Sequence, residues 1–246
     1  MSKYFVGYVN KGRMETVTDE QARKLTHLNI AFAPMVGDIT VMELEDTHIK
    51  ELNRIKKANP NLNILVSTGG GNNHGHGEAT RTPEGLMTYD SNTGGKMTGH
   101  HTNLYEPAGD GIRPHSADYH IRLMVSAGVP IEKILIGAAF YSQQWNHVPD
   151  VNHGYRQEST ELNNWGPGYT EIVEKYESKN GYVKYFDEAA KAPYLFNGST
   201  FFSYDDKESV KCKCEYAKAH HMAGIFYWVH DADVKGELFD VIYENL

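Results

Sequence analysis

The chain has 246 residues, of which 40% are apolar, 23% charged and 11% aromatic, and its formal net charge is −8. This is the composition of a globular protein able to bury a sizeable core, as one large domain or two small ones. The acidic balance argues against a phosphate-backbone partner, no apolar run approaches the ~20 residues of a membrane span, and Cys212 and Cys214, the only cysteines, are too few and too closely spaced for a disulfide scaffold.

The N-terminus, MSKYFVGYVN, lacks the basic, apolar, small-residue order of a secretory leader. As written, the chain reads as soluble and not addressed for export, although a removed leader would leave the same picture. YFVGYV (4–9) predicts a first strand. Thr18 then opens T-D-E-Q, a capping box with Gln21, and the helix it starts ends near His27. LNIAFAP (28–34) predicts a second buried strand. Ile49, Leu52 and Ile55 recur at helical spacing after Asp46, and Pro60 closes that helix. LNILVSTGG (62–70) is a third strand. Strands alternating with helices imply a parallel sheet with covered faces.

The middle of the chain breaks this rhythm. Residues 69–85 hold six glycines, two histidines and one proline, with no helical period. LMTYD (86–90) predicts a fourth strand. After a Thr-, Gly- and His-rich loop, Ser116 caps a helix that stops at Gly128. KILIGAAFY (133–141) predicts a fifth strand, and the chain from 146 to 206 is longer than a strand-to-helix connection needs. A helix over 207–220 and a sixth strand, GIFYWVHDAD (224–233), complete the reading.

Several landmarks fall in one order: S-T-G-G after the third strand, M-T-Y-D at 87–90, T-G-H-H-T-N-L-Y beyond it, G-A-A-F-Y, F-S-Y-D-D, and F-Y-W-V-H-D-A-D at the last strand. Each is weak alone. Together the chain resembles family 18 glycoside hydrolases, the chitinase-like barrels. The resemblance implies an α/β, (β/α)8 TIM-barrel-like fold, here short of about two βα units. A small α+β subdomain is inserted before the last strand, with the barrel over 1–145 and 207–246 and the subdomain over 146–206. It implies recognition of β-1,4-linked N-acetylglucosamine polymers, with no nucleic acid, membrane, cofactor or metal. Sixteen tyrosines and three tryptophans suit sugar stacking, and an extracellular location is expected of the family.

The resemblance also implies roles. Tyr89 and Asp90 would contact the N-acetyl group at the cleavage point, at the C-terminal end of a barrel strand where such folds place their chemistry. Trp228 would stack against that sugar. Tyr141 and Trp145 would be further sugar contacts, and Tyr8 and Phe32 would line the pocket. For each, the competing reading is an ordinary core aromatic.

The missing piece decides the chemistry. The family's hydrolysis is substrate-assisted, so the protein supplies chiefly one glutamic acid, at the end of a D-x-x-D-x-D-x-E motif on the fourth strand. The sequence contains no such motif. Gly71, His74, His76 and Glu78 reproduce its spacing, which makes Glu78 a candidate displaced acid. The stretch lacks the apolar residues of a buried barrel strand, so a solvated loop is expected. H-G-H-G-E also invites a metal reading, with His100 and His101 nearby, but it is too flexible for a preorganised site. Two absent units at roughly 30 residues each place the expected cut between Gly85 and Leu86. Three functions remain open: a hydrolase with an unrecognised acid, a lectin-like binder without turnover, and an engineered or mis-spliced deletion product of an active enzyme.

Overall fold

The computed structural model describes residues 3–36, 39–68, 84–108 and 114–246. Among them, six strands form a parallel sheet: β1 (Tyr4–Asn10), β2 (His27–Ala33), β3 (Asn63–Thr68), β4 (Glu84–Leu86), β5 (Ile134–Ala139) and, near the chain's end, Gly224–Trp228. A second, antiparallel sheet contains β6 (Tyr141–Trp145), β7 (Asn164–Gly168), β8 (Val183–Asp187), β9 (Ala192–Phe196) and β10 (Phe201–Ser203). The late parallel strand, Gly224–Trp228, is therefore β11. Helices α1 (Asp19–Lys24), α2 (Asp46–Ala58), α3 (Ala117–Ser126), α4 (Lys207–Ala219) and α5 (Glu237–Asn245) complete the main elements.

The parallel sheet runs β3-β2-β1-β11-β5-β4. The first and last strands of the chain are thus neighbours at its centre, with Tyr4 beside Gly224 and Gly7 beside Tyr227. This register needs glycine at both places. A Cβ on Gly224 would lie 2.0 Å from the Tyr4 carbonyl oxygen, and one on Gly7 would lie 2.4 Å from the Tyr227 hydroxyl. Strand alternation sends Phe5, Val9, Ile134, Ile136, Ile225 and Tyr227 to the main core and its helices. Val6, Leu135 and Phe226 form a second cluster, against which Tyr8 and Tyr89 pack.

The predicted caps form as the sequence requires. Thr18 and Gln21 close a reciprocal capping box on α1, and Ser116 Oγ accepts the Tyr119 N–H on α3. Other expectations change. LMTYD is not a strand: β4 ends at Leu86, and Asp90 adopts a left-handed φ of 65°. The strand formed here, Glu84–Leu86, pairs with Ile134–Ile136 and so runs across the expected cut between Gly85 and Leu86. Tyr141–Trp145, read as the end of the barrel, pairs with Phe201–Ser203 in the antiparallel sheet. The sequence reading also passed over α5, which Asp233 caps by accepting N–H groups from Glu237, Leu238 and Phe239 at 2.9–3.0 Å.

One buried carboxylate joins the two sheets. Asp205 Oδ2 accepts hydrogen bonds from the Ala139 N–H at 2.9 Å, the Thr102 hydroxyl at 2.8 Å and the Lys213 ammonium on α4. Oδ1 accepts the Ser209 hydroxyl at 2.8 Å. Burial pulls the Lys213 ammonium below the ordinary lysine range, and the Asp205 charge offsets part of that pull. Substituting Asp205→Asn leaves a buried ammonium without its counter-charge, so urea melts should lose about 3–5 kcal/mol. A loss within experimental error would show that the pair is not structurally critical.

His230 supplies a pH-dependent counterpart. Its Nε2 lies 3.3 Å from the Thr16 carbonyl, which can only accept, so that nitrogen carries the proton and Nδ1 receives the Tyr227 hydroxyl at 2.8 Å. Burial lowers its pKa from 6.5 to about 4, against a smaller opposing effect of the Thr16 carbonyl. The unfolded chain therefore binds a proton that the folded chain refuses between these two values. Stability from this group is complete above the unfolded pKa and is lost as pH falls towards the folded one. Denaturant melts should show wild type losing about 1.4 kcal/mol per pH unit relative to His230→Gln across this window. Parallel stability curves would contradict it.

Candidate functional site

Because all six strands of the first sheet are parallel, their C-terminal ends share one edge. That edge gathers aromatic rings from distant parts of the sequence. Phe32 from β2 stacks on Trp228 from β11 at 5.1 Å between ring centroids, with planes 22° apart. Trp228 lies 5.6 Å from Tyr8. Phe226 links Tyr8, at 5.8 Å, to Tyr89, at 5.9 Å. Tyr89 meets Tyr141 edge-on at 6.0 Å. The result is an unbroken arc of rings, its Phe32 end 38% exposed.

Asp90 sits beneath this arc. Its Oδ1 accepts the Tyr141 hydroxyl at 2.7 Å and the Gln143 amide at 2.9 Å. The buried ring of His101 lies beside it, with Nδ1 3.4 Å from the Asp90 N–H and 3.7 Å from Oδ1. Burial pushes the Asp90 carboxyl up. The His101 ring and the Tyr141 and Gln143 donors outweigh it and hold the group below its ordinary range. The Tyr141 and Tyr89 phenols go the other way, raised first by burial and then by neighbouring charge and hydroxyl groups. An ionised carboxylate therefore faces neutral phenols, an arrangement that accepts hydrogen bonds and does not release protons near neutral pH.

Asn163 holds the segment after Asp90 in place. Its Oδ1 accepts the Gly94 N–H at 2.6 Å, and its Nδ2 donates to the Asn92 carbonyl at 3.1 Å and to Gln143 Oε1 at 2.9 Å. One side chain thereby orients the amide that donates to Asp90 and clamps the loop that follows it.

Of the residues expected at the site, Tyr8, Phe32, Tyr89, Asp90, Tyr141 and Trp228 come together. Trp145 does not. It is completely buried with Val148, Phe196 and Phe201 under the antiparallel sheet, and its indole N–H donates to the Gly95 carbonyl at 3.2 Å. No ring face is left for a sugar, and its role is to support the loop after Asp90. Glu78, His74 and His76 lie outside the described residues. His100 and His101 diverge: His100 Nε2 lies 3.1 Å from Asp187, while His101 faces Asp90. Among the described residues no group of three or more His, Cys, Asp or Glu is arranged to hold a metal ion.

Sequence reasoning missed Gln143, His101 and Asn163 as site residues. Gln143 was within reach, two positions beyond Tyr141 on the same face of an extended strand. Asn163 had no local signal, because its partners, Asn92, Gly94 and Gln143, all lie far earlier in the chain. Also missed was Trp165, which is 60% exposed, with its ring 5.0 Å from that of Tyr141.

The family model for glycosyl hydrolases family 18 matches residues 3–82 and 85–233. The chain belongs to glycoside hydrolase family 18. A solved family 18 N-acetylglucosaminidase from Paenibacillus barengoltzii is 32% identical, with a TM-score of 0.91 and 100% coverage of both chains. Chitinase A1 of Niallia circulans is 32% identical over 163 residues, which is 60% of this chain and 23% of that protein. The chain spans only a quarter to a third of the length of the first curated relatives it matches. A Cycas revoluta family 18 chitinase, solved with (GlcNAc)4, shares the fold at a TM-score of 0.82 and 16% identity, covering 98% of this chain and 99% of that one. The architecture is thus that of the family 18 barrel, with β3 and β4 as its outer strands among the described residues.

The Asn163 clamp makes a specific expectation. Asn163→Ala strands the Gly94 N–H and the Gln143 carbonyl oxygen, so it should cost about 1–3 kcal/mol in a denaturant melt. A neutral outcome would mean that the loop after Asp90 is held by other contacts.

Proposed function

We propose that this chain is a chitinase-type member of family 18 that recognises β-1,4-linked N-acetylglucosamine polymers, with hydrolysis lost or strongly reduced. The observation that carries this reading is the state of Asp90. It adjoins the aromatic arc through Tyr141, and its neighbours Tyr141, Gln143 and His101 hold it ionised. A general acid needs a pKa near the working pH, and these contacts move Asp90 away from that range. The sequence contains no D-x-x-D-x-D-x-E acid to take its place.

Binding stands on different grounds. Trp228 keeps a partly exposed indole beside Tyr8 and Phe32, which suits the apolar face of a pyranose. Asp90 and Tyr141 offer an acceptor and a hydroxyl next to it, which suits an N-acetyl group. The names of the relatives, an N-acetylglucosaminidase and a chitinase solved with (GlcNAc)4, point to the same sugar class.

The test pairs hydrolysis of fluorogenic N-acetylglucosamine and chitobiose substrates with thermal-shift binding of chitin oligomers. Loss of general acid catalysis predicts turnover about 10²–10⁴-fold below an active family member, while oligomers still raise the melting temperature. Trp228→Ala should weaken that binding about tenfold or more, as expected for the loss of a stacked ring. Substantial turnover abolished by Glu78→Gln would overturn the reading and make 71–78 a rebuilt active site. A cooperative melt without binding would leave a fold without a ligand, and no cooperative melt would identify a deletion product.

A further inference from the structure

Asn–Gly pairs occur twice in the sequence, at 180–181 and 197–198. Such a pair is chemically reactive, because glycine has no side chain to block its nitrogen from the preceding side-chain amide. Ring closure needs a free nitrogen, a carbonyl oxygen stabilised as it gains charge, and an amine free to leave. The two sites differ in the last two. Asn180 Nδ2 donates to the Lys175 carbonyl at 2.7 Å, so its leaving group is held, and its Oδ1 accepts nothing among the described residues. Asn197 is the reverse. Its Oδ1 accepts the Ser199 N–H at 3.1 Å and the Thr200 N–H at 2.7 Å. Neither its Nδ2 nor the Gly198 N–H has a hydrogen-bond partner among the described residues. Asn197 is exposed, at the turn of the β9–β10 hairpin. Gly198 adopts a left-handed φ of 93°, and a Cβ built there would meet only Asp150 Oδ2, at 3.7 Å. Solvent therefore reaches the reacting atoms.

We propose that Asn197 is a site of self-modification, converted without any enzyme to aspartate and isoaspartate, with water as the only co-reactant. The Gly198 nitrogen attacks Asn197 Cγ and the N–Cγ bond forms. The oxygen of the tetrahedral intermediate rests on the two N–H groups already aimed at Oδ1. The Cγ–Nδ2 bond then breaks, and the amine leaves as ammonia with the proton that Gly198 gives up. Water opens the resulting succinimide: attack at Cγ yields aspartate, and attack at the main-chain carbonyl yields isoaspartate. Nothing is oxidised or reduced. Both products bring a new carboxylate to the turn beside Asp150, and isoaspartate adds a methylene to the backbone between Phe196 and Phe201. Those two rings pack with Trp145, whose indole N–H holds the Gly95 carbonyl in the loop after Asp90. Ageing at the hairpin tip therefore reaches the packing that supports the candidate site.

The test holds the full chain in mildly alkaline buffer, folded and in urea, and follows both Asn–Gly sites by mass-spectrometric peptide mapping. In the folded chain Asn197 should convert about tenfold or more faster than Asn180, as its two oxyanion donors imply. Urea removes those donors, so Asn197 should slow there and the two sites should converge. Asn180 converting as fast as Asn197 in the folded chain would overturn the inference. So would a faster Asn197 in urea, or no conversion at either site. Labelling with an isoaspartyl methyltransferase gives a second readout, and Asn197→Gln, whose longer side chain closes the ring poorly, should lose the label at this position. Aged wild type should melt at a lower temperature than fresh protein, whereas aged Asn197→Gln should not. Equal losses in both would overturn the link from the hairpin tip to Trp145.

Discussion

Asp205 is the point on which the two halves of this molecule are hinged together. Its carboxylate lies where the end of a barrel strand, the loop bearing His101, the antiparallel sheet and helix α4 meet, and it accepts a hydrogen bond from three of these four at once. An ion pair in so dry a place is expensive to desolvate, and its value lies in geometry more than in net stability. Because Thr102 is tied to Asp205, the neighbouring His101 is delivered to Asp90, and its own N–H is fixed by Ser203 at 2.9 Å. The electrostatics of the cleft therefore begin with a contact that no ligand touches.

On the proposed reading, the candidate site separates two properties that hydrolases usually combine. Recognition of an acetamido sugar requires ring faces, an acceptor and a hydroxyl in fixed relation, and the parallel sheet supplies these from its C-terminal edge. Turnover requires a proton held at the right acidity. Here the donors around Asp90 hold it below its ordinary range, so that it accepts hydrogen bonds and does not release a proton near neutral pH.

Much of the parallel sheet was legible in the sequence because its elements advertise themselves locally. Thr18 with Gln21, Ser116, the apolar run at 28–34 and the β-branched run at 62–70 each announce a cap or a buried strand without reference to the rest of the chain. Three features escaped for physical reasons. Asp90 looked like the end of a strand, since its left-handed backbone has no signature in an M-T-Y-D string. Trp145 looked like a sugar contact because an aromatic beyond a barrel strand reads the same whether it faces a cleft or a core, and only the covering sheet decides. Trp165 and Asn163 sit in a polar, glycine-containing stretch whose meaning comes from residues 92–94 and 141–143, far earlier in the chain. The site's aromatic members were found through a family pattern, while its hydrogen-bonding members depend on tertiary contacts.

The neighbouring of β1 and β11 at the middle of the sheet has a consequence for how the molecule is made. In most sheets the strand completed last is added to an edge, so a growing chain can consolidate what it already has. Here Tyr4 waits for Gly224, and until that residue is available β1 has a partner on one side only while β5 lacks its own inner neighbour. Contacts so distant along the chain close slowly, and half-formed sheets with bare edges invite pairing with other molecules. Until Gly224–Trp228 has been made, β1 and β5 therefore each keep a bare edge, a state in which chaperone access would influence yield more than the final stability of the fold.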